Sequence, residues 1–241
     1  MYTCFFTYND YFANEKTGFG QLGHLLAFNP GAKNAEMSVT VYFEDREPLA
    51  FKLPAPGFAS TESNWKGWGS IPLNTKFAFR VECELPLALQ ATIGQNNTGN
   101  DYGTKAKGYP EKVRETVLSY MPGAAAREHY LPDGIVIAAP DTIWVLEHEW
   151  LILCNPEKEP AGVTVEAMFK AGDSLKFTET VAPQRVKYIF MDEKVPSLRH
   201  YGAKVTSDRP VSAQWLRTVN WYDRDEMMSS WSVPLVPGPL K

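Results

Sequence analysis

The chain has 241 residues, 44% of them hydrophobic and 22% charged, with a formal net charge of −4. That balance argues against disorder, and acidic residues scattered among basic ones give no concentrated basic face for nucleic acid. No stretch approaches the roughly 20 apolar residues that span a bilayer, and the opening MYTCFFTYNDYF lacks the basic flank, apolar run and cleavage site of a secretory signal, so a cytoplasmic protein with no direct membrane insertion is expected.

Short β-branched and aromatic runs bounded by Pro, Gly, Asn and Asp recur along the chain, and no long run has helical period, which predicts an all-β fold. In the first half strands are predicted at Thr3–Tyr8, His24–Phe28, Met37–Glu44, Leu49–Leu53, Lys76–Cys83, Leu87–Ile93 and Arg114–Tyr120. Alternation is clearest where Met37, Val39, Val41 and Phe43 share one face and Ser38, Thr40 and Tyr42 the other, giving one packed and one partly wet face. Gln95–Lys107 is the most loop-like segment, and its counterpart Asn220–Glu226 is shorter and more charged. A connector is expected over Met121–Arg127, where Pro-Gly stops a strand. Beyond it, strands are predicted at Gly134–Ala138, Thr142–Cys154, Val163–Phe169, Ser174–Val181, Arg185–Phe190, Gly202–Ser207, Val211–Val219 and Met227–Val233. Thr142–Cys154 is long enough to predict a break or bulge near Glu147.

The second half restates the first. Leu25–Phe43, LLAFNPGAKNAEMSVTVYF, is echoed by Leu151–Phe169, LILCNPEKEPAGVTVEAMF, so the Asn-Pro turn, Val39/Val165 and Phe43/Phe169 stand 126 residues apart. Leu53–Pro56 answers Thr180–Pro183, and Leu85–Gln90 answers Arg209–Gln214, with the offset drifting to 127 and then 124. This period far exceeds the roughly 20 to 50 residues of solenoid repeats, so each copy should own a core. The predicted architecture is two tandem β-sandwich, jelly-roll-like domains, residues 1–124 and 125–241.

No phosphate-binding glycine loop, G-x-S-x-G elbow or H-E-x-x-H is present; His148-Glu149 begins the last, but Ile152 stands where its second histidine belongs. A metal site from His148, Glu149 and His200 is weighed against plain strand-edge polar residues. Neighbours on a strand point to opposite faces, so His148 and Glu149 do not easily share a ligand; no metal, cofactor or catalytic residue is assigned. Cys4, Cys83 and Cys154 share no close spacing and read as small core residues. Gln90 and Gln214 are repeated amides inside apolar strands, each needing a partner, either as a shared structural bond or facing a ligand. Arg217 has Ile93 as its counterpart, so any charge-dependent binding through it belongs to the second copy. Trp65 and Trp68 fall in a Gly/Ser/Asn loop and are expected to be exposed, suited to an interface or to stacking on a sugar. The clusters Asp192-Glu193 and Asp223-Arg224-Asp225-Glu226 read as solvated turns.

The run HEWLILCNPEKEPAGVTVEAMF at His148–Phe169 resembles the sensory rhodopsin transducer family, which has a similar His-Glu before an Ile-Leu-Asn turn and then a Val-rich strand. Asn29-Pro30-Gly31, the strand Val39–Phe43 followed by Asp45-Arg46-Glu47-Pro48, Thr3-Cys4, and the Pro-x-x-x-Gln pattern at Pro86–Gln90 and Pro210–Gln214 are similar too. The resemblance covers both copies. It implies a compact β-sandwich acting as a non-enzymatic binding or signalling module, and self-association, here as a homodimer whose four domains form a pseudo-tetramer. His148-Glu149 is replaced by Leu22-Gly23 in the first copy, and the family's His after the strand glutamine is Trp215 in one copy and Ala91 in the other. The leading expectation is an adaptor that recognises a small polar ligand such as a sugar derivative through His148, Glu149, Gln214 and Arg217. Arg217→Ala is then expected to abolish binding and spare the melting temperature. The alternatives are a carbohydrate-active enzyme with a carboxylate or metal site near His148 and His200, and a purely structural assembly module.

Overall fold

The computed structural model describes residues 1–14, 19–68, 71–97, 114–120, 122–137, 145–170, 172–221 and 226–237. Most of the loop expected at Gln95–Lys107, part of its counterpart Asn220–Glu226 with three residues of the Asp223–Glu226 cluster, the start of the strand expected from Thr142, and Met121 lie outside them. The first-half strands are β1 (Tyr2–Asn14), β2 (Phe19–Asn29), β3 (Ala35–Phe43), β4 (Leu49–Ala55), β5 (Ala59–Asn64), β6 (Thr75–Cys83), β7 (Ala88–Asn97) and β8 (Arg114–Tyr120). The second half has β9 (Ala125–Ile135), β10 (Val145–Asn155), β11 (Ala161–Phe169), β12 (Ser174–Val181), β13 (Arg185–Phe190), β14 (His200–Trp221), β15 (Glu226–Pro234) and β16 (Val236–Pro237). Two 3-10 turns, Trp65–Trp68 and Met191–Glu193, are the only helical elements among the described residues. The fold is all-β, and no helix is long and apolar enough to cross a membrane among the described residues.

In the first half the order is β4-β3-β6-β1-β2-β7-β8 with β5 on β2, all antiparallel. β1 pairs with β6 from Tyr2 to Tyr11 and turns onto β2 only at Phe12–Asn14. β4-β3-β6-β1 and β5-β2-β7-β8 are thus the two layers of a sandwich, joined at one end. The second half repeats the scheme as β12-β11-β14-β9 and β13-β10-β14-β15. Here a single strand serves both layers: β14 pairs with β11 over Tyr201–Ser207 and with β10 over Ser212–Trp221, with its register on β9 shifting between Thr206 and Val211. The two strands predicted at Gly202–Ser207 and Val211–Val219 are therefore one, with Pro210 inside it where the register on β9 shifts. β10 pairs with β14 from Val145 to Cys154 without a shift, so the break expected near Glu147 is absent there. Ala125 and Ala126, read as connector, already pair with Ser212 and Val211.

The repetition reaches side-chain and dihedral detail. Asn29 Nδ2 donates to the carbonyls of Lys33 and Ala55, and Asn155 Nδ2 to those of Glu159, Val181 and Ala182. Each Asn Oδ1 also accepts an amide two residues on, from Gly31 and Glu157. Both are buried, and each ties a hairpin turn to the next strand, which explains why the Asn-Pro turn is the clearest echo. The left-handed backbone also recurs at equivalent residues, Phe58 and Gln184 at φ 52°, and Asn74 and Leu198 at 60° and 62°. Non-glycine residues adopt this region at a cost of roughly 1–2 kcal/mol, so both halves carry the same local strain at the same turns.

Alternation along β10 and β14 divides the core. Leu151, Leu153, Ala213 and Trp215 pack within the second half, whereas Ile152, Cys154 and Leu216 join the first half's hydrophobic cluster. The β10-β13-β14 face therefore lies on the β1-β3-β6 face, where Tyr42 and Ala78 are buried. Polar contacts fix the junction: Thr7 N and Tyr8 N donate to Gln214 Oε1 at 2.9 and 3.0 Å, and the Thr7 and Ser212 hydroxyls meet at 2.6 Å. Tyr188 Oη donates to the carbonyls of Asn9 and Phe77 at 3.2 Å, and Arg185 pairs with Glu47. Cys83 and Cys154 are buried free thiols and Cys4 is half-buried, where burial pushes its thiol pKa up to about 12.

His129, fully buried on β9, donates from Nε2 to the Val211 carbonyl at 2.8 Å, and burial lowers its pKa below the ordinary 6.5. The folded state thus favours the neutral ring, and this contribution is present above 6.5 and lost as pH falls through the depressed value. Urea midpoints measured against pH are expected to fall less steeply on the acid side for His129→Gln than for the parent.

Candidate functional site

The pairing of β10 with β14 sets Glu149 directly opposite Arg217. Glu149 is 0% exposed and Arg217 7% exposed. Glu149 Oε1 accepts from Ile135 N at 2.6 Å and from Arg217 Nε at 2.9 Å, with Arg217 Nη2 at 2.7 Å, and Tyr201 Oη donates to Oε2. Arg217 lies 4.6 Å from the Trp215 ring centroid, and Glu147 and Asp133 approach it at 3.5 and 4.0 Å. Burial pushes Glu149 up to about 7, opposed by its donors. Burial and the adjacent carboxylate push the Tyr201 phenol well above its ordinary range. Such a buried pair costs desolvation, which only good hydrogen-bond geometry offsets.

The first half fills the same place with carbon. The register puts Gly23 opposite Ile93, and Trp65 lies over Gly23 so closely that a Cβ there would sit 2.0 Å from the indole nitrogen. Trp65 in turn meets Trp68 at a tilt and Phe77 and Phe79 edge-on, at centroid distances of 4.5, 5.5 and 5.3 Å. The expectation of exposed Trp65 and Trp68 is overturned: they are 0% and 6% exposed, because their loop winds into a 3-10 turn that sets both rings against Phe79 in the core.

Beside Glu149, on the opposite face of β10, His148 Nδ1 lies 2.5 Å from Asp192 Oδ2, and Asp192 Oδ1 accepts from Glu149 N at 3.1 Å. The Asp192 side chain is 7% exposed, so it is not the solvated turn expected; it ties the 3-10 turn after β13 to β10. Its carboxylate accepts from Nδ1, which leaves Nε2 as the ring's second polar atom, an acceptor in the tautomer that carries its proton on Nδ1. Around His148 stand Trp150 and Phe190, cross-strand neighbours with centroids 5.1 Å apart, and His148 lies 6.3 and 5.9 Å from them. All three are partly exposed.

Of the residues expected to bind ligand, Glu149 and Arg217 are joined and His148 adjoins them through Asp192. Gln214 is not with them: its amide sits on the other face of β14 from Arg217, in the junction between halves. Because Arg217 is buried against Glu149, Arg217→Ala is now expected to lower the melting temperature rather than spare it. His200 stands at the rim, 3.2 Å from Asp133. No group of three or more histidine, cysteine or carboxylate side chains suits a metal ion among the described residues. Tyr201, Asp192, Trp150 and Phe190 escaped the sequence; aligning the repeats would have flagged Trp150 and Phe190, which replace His24 and Asn64.

No protein-family model and no curated protein matches the chain. Among solved structures, the crystal structure of Thermotoga maritima 1070 aligns at TM-score 0.39 with 16% identity, over 50% of this chain and 90% of that one. The Anabaena sensory rhodopsin transducer aligns at TM-score 0.33 with 18% identity, over 37% of this chain and 84% of that one. Likenesses at these scores decide nothing about chemistry.

Proposed function

We propose that the protein is a non-enzymatic cytoplasmic binding module of two sandwich domains, related through its sequence motifs to the sensory rhodopsin transducers, and that its second domain recognises a small polar ligand such as a sugar derivative. The observation that carries this reading is the partly exposed group of His148, Trp150 and Phe190 with Asp192 behind it. Flat rings offer a stacking surface for apolar C–H groups, and a histidine held in one tautomer offers a fixed hydroxyl acceptor. In the first half the same places hold Leu22, His24, Asn64 and Lys66, which put one imidazole, His24 with its Nδ1 2.5 Å from Glu62 Oε1, where the second half has a paired Trp and Phe beside its histidine. Glu149 and Arg217 are too buried to be the main contacts; in this reading they hold β10 and β14 in register beneath the surface.

A thermal-shift screen against neutral monosaccharides and sugar phosphates tests it, since a ligand at about 100 times its Kd stabilises by roughly 2.7 kcal/mol. The expected outcome is a saccharide-dependent rise in Tm that Trp150→Leu and His148→Ala each remove. A panel without any shift, or a shift that survives both substitutions, refutes the proposal.

A further inference from the structure

The surface of His148, Trp150 and Phe190 lies at the mouth of the junction between the halves. Ile152, opposite Tyr188, is wholly buried there, and one pair further on Trp150 and Phe190 reach solvent. Trp150 and Tyr188 both pack against the hydrophobic cluster that the first half builds. Tyr188 and Phe190 stand two residues apart on β13 and therefore share a face. The first half grips Tyr188 on several sides. Its hydroxyl donates to the Asn9 and Phe77 carbonyls, the buried Tyr8 meets its ring edge-on at 6.4 Å, and the Lys76 ammonium stands 5.3 Å from the ring centroid. Lys76 itself is exposed. A row of rings thus runs from His148 and Trp150 through Phe190 to Tyr188, and the cation at its end belongs to the other half of the chain.

We propose that the ligand is a phosphorylated monosaccharide, its ring on Trp150 and Phe190 and its phosphate on Lys76 of the first half; this rests on the saccharide reading of the same surface given above. A cation lodged on an aromatic face keeps its charge and its place, and phosphate oxygens accept strongly from an ammonium. Residues two apart on a strand are separated by about 7 Å, which matches the reach from a stacked pyranose to a phosphate on its exocyclic carbon. Clefts between domains, lined with apolar rings and a few placed polar groups, are where small ligands bind. The repeat supplies a contrast. In the first half Glu62 takes the place of Tyr188 and pairs with His24, which takes that of Trp150, so a phosphate there would face a carboxylate. Recognition accordingly draws on both halves, the rings from the second and the charge from the first.

Calorimetric titration of the full chain with glucose, galactose and mannose, and with the 6-phosphate of each, tests this. At least one 6-phosphate is expected to bind roughly tenfold or more tighter than its parent sugar, the scale of one charge-assisted hydrogen bond. Lys76→Met keeps an apolar stem over Tyr188 and removes the charge, so it should erase that ratio while the affinity for the parent sugar and the melting temperature of the empty protein stay unchanged. Lys76→Arg should keep the ratio, and Trp150→Leu should remove binding of sugar and phosphate alike. Equal affinity for sugar and 6-phosphate, a ratio that survives Lys76→Met, or inorganic phosphate binding as tightly as the 6-phosphate would overturn this proposal and leave the saccharide reading standing. Binding of none of these probes would overturn both.

Discussion

Replacing Arg217 by methionine is expected to cost the fold about 3–5 kcal/mol, the range for removing one partner of a buried ion pair. The loss comes less from the missing attraction than from what remains: Glu149, wholly buried, keeps the Ile135 amide and the Tyr201 hydroxyl but loses its cation. Combining the change with Glu149→Gln should recover much of the loss, since the residual charge is then gone. Denaturant midpoints of the two single variants and the double variant measure this coupling. The pH dependence carries a sign of its own. Glu149 in the folded chain is raised from 4.5 to about 7, so its contribution is full below 4.5 and declines as pH climbs through about 7. Glu149→Gln should flatten that decline, worth on the order of 3 kcal/mol at about 1.4 kcal/mol per unit. His129 slopes the opposite way, so each slope emerges only as a difference from its own variant.

The second large effect belongs to the first half. Gly23→Ala is expected to destabilise by about 3 kcal/mol or more, at the upper end for overpacking. The added carbon would fall 2.0 Å from Trp65 Nε1 and 2.1 Å from its Cε2. The indole has nowhere to go, hemmed by Trp68, Phe77 and Phe79. In a Trp65→Leu background the same alanine should cost much less, and a thermodynamic cycle over the four proteins isolates the clash. If the alanine costs the same in both backgrounds, the close approach of β2 to Trp65 is not what requires glycine.

These two sites explain which parts of the molecule were legible in advance. The Asn-Pro turns were visible because one side chain does the whole job locally, with Asn29 and Asn155 each binding backbone a few residues on. β5 was missed because ASTESN carries no apolar alternation; it is a strand because β2 supplies its partners from His24 to Asn29. Glu149 and Arg217 were legible as candidate contacts, one beside His148 and the other in the place of Ile93, but not as each other's partner, since 68 residues separate them and only the register of β10 on β14 sets them face to face. Asp192 was read as solvated because its neighbours are polar, and nothing local signals that it returns to a backbone amide 43 residues earlier. Gln214 was recognised as an amide in need of a partner, and its donors come from the other end of the chain.

The continuity of β14 has a consequence for how the second half comes apart. In the first half the two layers are served by separate strands, β6 and β7, divided at Glu84–Leu87. In the second half one strand of 22 residues is the shared spine of both layers. Withdrawing it strips partners from β9, β10, β11 and β15 together, so neither layer can open while the other persists. Local opening in the second half is confined to its edges, β12, β13 and β15 among them, and the interior behaves as one cooperative unit. The first half can loosen a layer at a time, with β5-β2-β7-β8 hinged on the few pairs that β1 makes with β2.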